Sequence, residues 1–219
     1  MRRLVTRLAL VLGLAALMPA TALAGTYTLH PNGFGEHSYS AWKGGEGLAD
    51  STGNKDQALY FQKKTATTTF AAGVAVFKGF EGIPANELGD LEFWWGDDGH
   101  CGAGAPRFNV RVQIAPNVRQ TIFVGCQGMT PGAAEPADNG RIFEQRTFDT
   151  QFLPGTVVSL SLVFDEGDDV GQGFVYLDDI KAGGHTWTSA SDNGNGQTIM
   201  QSSTPLAVLL GEPIALALG

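Results

Sequence analysis

The chain has 219 residues, 14 basic and 22 acidic, for a formal net charge of −8. That sign repels phosphate backbones and anionic lipid headgroups, which argues against nucleic acid and membrane surfaces as partners and leaves weakly charged ligands such as glycans open. With 30 glycines, and no 3.6-residue apolar period after the first 24 residues, the composition is that of an all-β domain with many turns.

Residues 1–24 read as a secretory signal peptide. Arg2, Arg3 and Arg7 supply the positive start, and residues 8–17 form an apolar run interrupted only by Gly13. Pro19 breaks it, and Ala22-Leu23-Ala24 is a small-x-small cleavage site. The run is about half the roughly 20 residues a membrane span needs, so an anchor does not fit. Cleavage removes three arginines and no acid, leaving 11 basic against 22 acidic residues, or −11. The mature chain is expected to be secreted, into a periplasm or the medium, with no insertion into a membrane.

Alternation and turn residues mark strands at 27–30, 39–42, 58–62, 67–77, 90–95, 108–114, 121–124, 142–148, 157–164, 173–180 and 186–188. In 108–114, apolar Phe108, Val110, Val112 and Ile114 alternate with Asn109, Arg111 and Gln113, giving one core face and one wet face. Pro116-Asn117 turns this run back into 121–124 as a hairpin. Val158, Leu160, Leu162 and Phe164 are expected on one face, and the acidic run 165–169 is expected as a hairpin loop leading to Phe174. The stretch 130–140 reads as a turn region. The sum is an antiparallel two-sheet β-sandwich, jelly-roll-like, over residues 25–190, followed by a linker and apolar tail over 191–219.

Cys101 and Cys126 flank the hairpin at its open end. An even pair in an exported protein reads as a disulfide, which would close a loop of about 26 residues and contribute about 3 kcal/mol. Free thiols or metal ligands are the alternatives. His100 lies beside Cys101, but no C-x-x-C or H-x-x-x-H spacing supports zinc.

Trp94 and Trp95 are adjacent on a strand, so their rings point to opposite faces. Leu91, Phe93 and Trp95 make the inward set, and Trp94 is then the outward ring. It is either a stacking platform for a sugar, with the nearby Asp97, Asp98 and His100 supplying polar contacts, or a ring covered by a loop. Trp42 and Trp187 are possible additions to such a platform. The acidic residues Asp165, Asp168 and Asp169 either hold calcium or form a solvated turn. Asp178 and Asp179 alternate faces, and one pointing inward would have to bond backbone amides.

Catalytic patterns are weak. Glu87, Asp90 and Glu92 superficially resemble a concanavalin-like glycosidase strand, but Asp90 follows Glu87 by three residues and so faces away from it. There is no G-x-S-x-G, and His30, His37, His100 and His185 are scattered.

Phe174-Val175-Tyr176-Leu177-Asp178-Asp179-Ile180 resembles the late strand of jelly-roll modules in secreted carbohydrate-active proteins. This short run implies a carbohydrate-binding-module-like or lectin-like sandwich, and carries no ligand residue over. The function expected is a secreted, non-catalytic binding module that recognises a glycan. The alternatives are a surface-associated structural protein and, behind it, a glycan-active enzyme.

Overall fold

A computed structural model describes residues 27–50, 55–64, 71–165 and 173–193. The expected signal peptide and the apolar tail lie outside the described residues. Twelve strands are described: β1 (Thr28–Phe34), β2 (Tyr39–Lys43), β3 (Ala58–Lys63), β4 (Ala72–Lys78), β5 (Leu91–Gly96), β6 (Arg107–Ala115), β7 (Val118–Gly125), β8 (Thr130–Pro136), β9 (Ile142–Phe148), β10 (Thr156–Phe164), β11 (Gly173–Ala182) and β12 (His185–Trp187). Helical structure among the described residues is limited to short 3-10 turns.

The strands form two antiparallel sheets. One has the order β1-β4-β10-β6-β7; the other runs β2-β3-β11-β5-β9-β8, with β12 also paired to β11. The late strands β10 and β11 insert between early ones, β10 between β4 and β6 and β11 between β3 and β5, which gives the wrapped, jelly-roll-like path. The acidic run after Phe164 is therefore no hairpin loop. Strands β10 and β11 belong to different sheets, and residues 166–172 between them lie outside the described residues.

The core lies between the layers. Phe108, Val110, Val112, Leu160, Leu162 and Phe164 from the small sheet meet Leu59, Phe61, Phe93, Val175 and Leu177 from the large one, all at most 1% exposed. This is the face that period-two alternation selects. Two details depart from simple alternation. A bulge between Val157 and Ser159 turns Val157, not Val158, into the core, because the extra residue shifts the side-chain phase. Ile114 is 44% exposed, since the β6–β7 hairpin runs on past the end of the core.

At one corner the layers pinch together. A Cβ on Gly33 would collide with the Ser38 carbonyl and the Tyr39 Cα, and one on Gly73 would collide with the Tyr39 carbonyl. Glycine lets β2 cross this close to β1 and β4, and Ser40 Oγ pins the crossing by donating to Val74 O at 2.5 Å. The Cys101–Cys126 disulfide closes the open end of the β6–β7 hairpin, with Cα atoms 5.4 Å apart, in keeping with the disulfide reading of the pair.

Candidate functional site

Trp94 does point away from the core, on the outer face of the large sheet, but it is only 8% exposed. Loops lie over it. It packs with Leu48, Ala58, Ala137 and Phe143 in a small second cluster. The segment around Leu48 is held down by Asp178, whose Oδ2 accepts the Leu48 N–H at 2.7 Å while Oδ1 accepts the Asp179 N–H at 2.7 Å. The outward ring is thus a covered ring, and the platform reading of Trp94 is corrected. Trp42 and Trp187 are no platform either. Both face the main core, Trp187 fully buried and Trp42 packed against it.

The outer face carries a different set of rings. By register, Tyr39 on β2, Tyr60 on β3 and Phe174 and Tyr176 on β11 all project from the side opposite Leu59, Phe61, Val175 and Leu177. Each is half-buried. Tyr60 sits at the centre, its centroid 4.8 Å from Tyr176, 6.0 Å from Tyr39 and 6.2 Å from Phe174. The ring planes are inclined to one another by 34° to 77°. The group therefore makes a stepped surface rather than a flat one.

Polar groups border these rings. Lys43 Nζ lies 5.8 Å from the Tyr39 centroid and 5.9 Å from that of Tyr60. The Tyr60 hydroxyl donates to Gln62 Oε1 at 3.1 Å, and Gln62 Nε2 donates to His37 O at 2.7 Å. Burial, then the neighbouring Tyr176 and Tyr39, push the Tyr60 hydroxyl up to about 12, so it stays a neutral donor at any ordinary pH. Arg141 forms the far rim. Its guanidinium lies 3.9 Å from the Tyr176 centroid, its Nε donates to Asp98 Oδ1 at 2.7 Å, and its Nη1 donates to Glu46 Oε2 at 2.8 Å. One side chain thereby joins the loop after β2, the turn after β5 and the sheet itself.

The other residues singled out in sequence fall differently. Asp98 belongs to this rim through Arg141, and Asp97 is exposed beside it, with Oδ1 3.4 Å from the Ile142 N–H. His100 is half-buried, its backbone N–H donating to Phe174 O at 2.9 Å and its ring edge-on to Phe164. Asp165 gives both carboxylate oxygens to Arg107, at 2.5 and 2.6 Å, rather than to solvent. Asp168 and Asp169 lie outside the described residues.

At the other end of the outer face carboxylates gather. Burial, followed by the fields of Asp50, Glu92 and Glu135, raises Asp179 above the usual carboxylate range. Asp178, 1% exposed, is raised to about 8 by burial, which outweighs the two amide bonds that favour its charged form. Covered by the Leu48 loop, Asp178 fastens that loop and cannot touch a ligand. The Tyr39, Tyr60, Phe174 and Tyr176 group was not found from the sequence. Its only signal is that these rings sit at alternate positions of three separate runs.

No family model and no curated protein matches the sequence. Among solved structures, a family 30 carbohydrate-binding module overlaps 71% of this chain and 98% of its own, at 15% identity and a TM-score of 0.40. So loose an overlap transfers no residue of that module to this chain.

Proposed function

We propose that this is an exported, non-catalytic glycan-binding module whose ligand lies across Tyr39, Tyr60, Phe174 and Tyr176. One observation carries the reading: four aromatic rings from three adjacent strands share one half-exposed face, bordered by Lys43, three phenol groups and Arg141. Sugar rings have an apolar C–H face and a rim of hydroxyls. A surface of rings with hydrogen-bonding groups at their edges suits both parts. The tilted rings suit a single polysaccharide chain, whose successive sugars can rotate to follow the steps, better than a flat crystalline face.

The disulfide supports export, since such bridges persist in oxidising compartments. In this reading Asp98 acts by positioning Arg141, and Asp97 and His100 lie at the margin of the face. The test is affinity electrophoresis of the chain through gels containing barley β-glucan, arabinoxylan, glucomannan or galactan. Wild type is retarded by at least one of them. Tyr60→Ala and Tyr176→Ala each weaken that retention about tenfold. Equal retention of wild type and both variants would remove the reading.

A further inference from the structure

A second ring-bearing surface lies on the opposite side of the sandwich. Phe123 on β7 is 64% exposed. It projects from the outer face of the small sheet, since its strand neighbours Ile122 and Val124 turn to the core. An isolated exposed phenylalanine is ordinary; this one has a cation set against it. Arg107 lies against one side of the ring, with its guanidinium carbon 5.4 Å from the centroid.

That guanidinium cannot swing away. Nη1 donates to Asp165 Oδ1 and to Gly104 O, each at 2.5 Å, Nη2 to Asp165 Oδ2 at 2.6 Å, and Nε to Asn109 Oδ1 at 2.9 Å. The fixed cation backs one face of the ring and leaves the other to solvent. A phenylalanine ring has only two side-chain torsions to order, so it loses little entropy on binding.

Its surroundings are polar. Asn109 stands directly across the strand pair from Phe123, Thr121 and Gly125 are its same-face neighbours on β7, and Ser161 stands across from Asn109 on β10. With Oδ1 of Asn109 taken by Arg107, its Nδ2 remains to donate. The cation over the ring is cancelled by Asp165, and Arg111, across from Thr121 on the same face, is buried, so the exposed groups bordering the ring offer hydrogen bonds and fit a neutral ligand. A second copy of the chain is the poorer partner: the ring's nearest same-face neighbours, Arg107, Asn109, Thr121 and Gly125, are not apolar side chains, Ala72, Val74 and Val163 of the apolar cluster on this face are buried, and two chains of net negative charge repel.

We infer that Phe123, with Asn109 and Thr121 at its edge, is a second stacking subsite for a neutral pyranose. Taken with the proposed site on the large sheet, it makes the module bivalent: two faces on opposite layers grip two glycan chains and cross-link them. The bivalency rests on the proposed function; the Phe123 subsite does not.

The experiment uses the same four polysaccharides. Phe123→Ala and Phe123→Leu are compared with Tyr60→Ala/Tyr176→Ala by retention in the gel and by the viscosity that each protein adds to the retaining polysaccharide in solution. Wild type raises viscosity. Both Phe123 variants weaken retention about threefold to tenfold and abolish the rise, at an unchanged melting temperature. The tyrosine double variant also abolishes the rise but keeps the Phe123-dependent retention. Phe123 variants that match wild type in both readouts overturn the second subsite and leave the large-sheet reading standing. Retention lost only with the tyrosines, or Phe123→Leu behaving like wild type, also overturns it. A wild-type dimer that Phe123→Ala splits, seen by sedimentation, would assign the face to self-association instead.

Discussion

The carboxylate of Asp178 accepts the backbone N–H of Leu48 at 2.7 Å across 130 residues of sequence, and through that bond a loop is laid over Trp94. The arrangement makes Trp94 a packing residue. Trp94→Ala is expected to empty most of the small cluster of Leu48, Ala58, Ala137 and Phe143. The cost is about 3 kcal/mol, or a melting temperature lower by roughly 9 °C. Thermal and urea unfolding check this. A variant as stable as wild type but defective in binding would restore Trp94 as an exposed platform.

The same carboxylate makes stability depend on pH. Its proton is held to about 8 in the fold and leaves near the ordinary value of 3.8 once unfolded. Between these values the folded state carries one more proton than the unfolded one, so stability falls as pH rises, by up to about 1.4 kcal/mol per pH unit. Asp50 and Asp179, which face Asp178, are shifted the same way and add to the slope. Asp178→Asn removes its share. Melting temperature against pH is therefore expected to decline less steeply between pH 5 and 8 in the variant, whatever its absolute stability. Parallel curves would show that Asp178 is ionised in the fold.

These two residues also show where sequence reading stops. Alternation marked nearly every strand, because a half-buried strand must place apolar groups on one side, and it assigned Trp94 to the outer face correctly. It could not reveal the cover. That depends on a bond from β11 to a distant loop, and on Asp178 sitting where a register shift after it, with Asp179 at a positive φ of 43°, bends the strand. β8 escaped notice because Thr130-Pro131-Gly132 and Pro136 read as turn residues. As the edge of the large sheet it needs few of the amide donors that proline lacks. The Tyr39, Tyr60 and Tyr176 group was invisible for a further reason: three runs supply it, and only the pairing of β2 with β3 and of β3 with β11 places them side by side.

Arg141 tests whether the rim matters to binding. It reaches Glu46 and Asp98 from a third loop while covering Tyr176. Arg141→Lys keeps the charge but cannot bridge two carboxylates and lie flat on a ring at once. It is expected to weaken polysaccharide retention severalfold with a loss of about 1 kcal/mol in stability, because the pairs it breaks are partly exposed. Retention equal to wild type, measured in the same gels, would separate the rim from the binding face.

Reduction of the Cys101–Cys126 bridge is expected to lower stability by about 3 kcal/mol through the freedom regained by the closed loop. Beyond this global loss, added local opening is expected at the β6–β7 end of the sandwich. Hydrogen exchange under dithiothreitol is therefore expected to rise at Pro106-linked amides such as Cys126, whose N–H donates to Pro106 O at 2.9 Å, before it rises in β3 or β11. Acceleration no greater there than in β3 and β11 would mean that the bridge acts through the unfolded chain alone and not on this corner.

Asn193, the last described residue, closes the sandwich with a single side chain. Its Oδ1 accepts the Leu29 N–H at 2.7 Å and the Trp187 Nε1–H at 2.9 Å, and its Nδ2 donates to Leu29 O at 2.5 Å. The amide thus pairs with the outer edge of β1 as a neighbouring strand would, and it also fixes the buried Trp187 ring. Leu29 and Trp187 are both fully buried, so water cannot replace these bonds. Asn193→Ala withdraws a partner from three buried polar groups and is expected to cost about 3 kcal/mol, at roughly 1 kcal/mol for each. Asn193→Asp keeps the acceptor but loses the donor to Leu29 O and buries a charge, and it should be no better than alanine near neutral pH. Because a carboxylate gaining a proton regains that donor, the aspartate variant should recover stability as pH falls, whereas the alanine variant should not. Urea unfolding of both variants at pH 4 and pH 7 measures this, and identical pH behaviour in the two would refute the strand-like role of the amide.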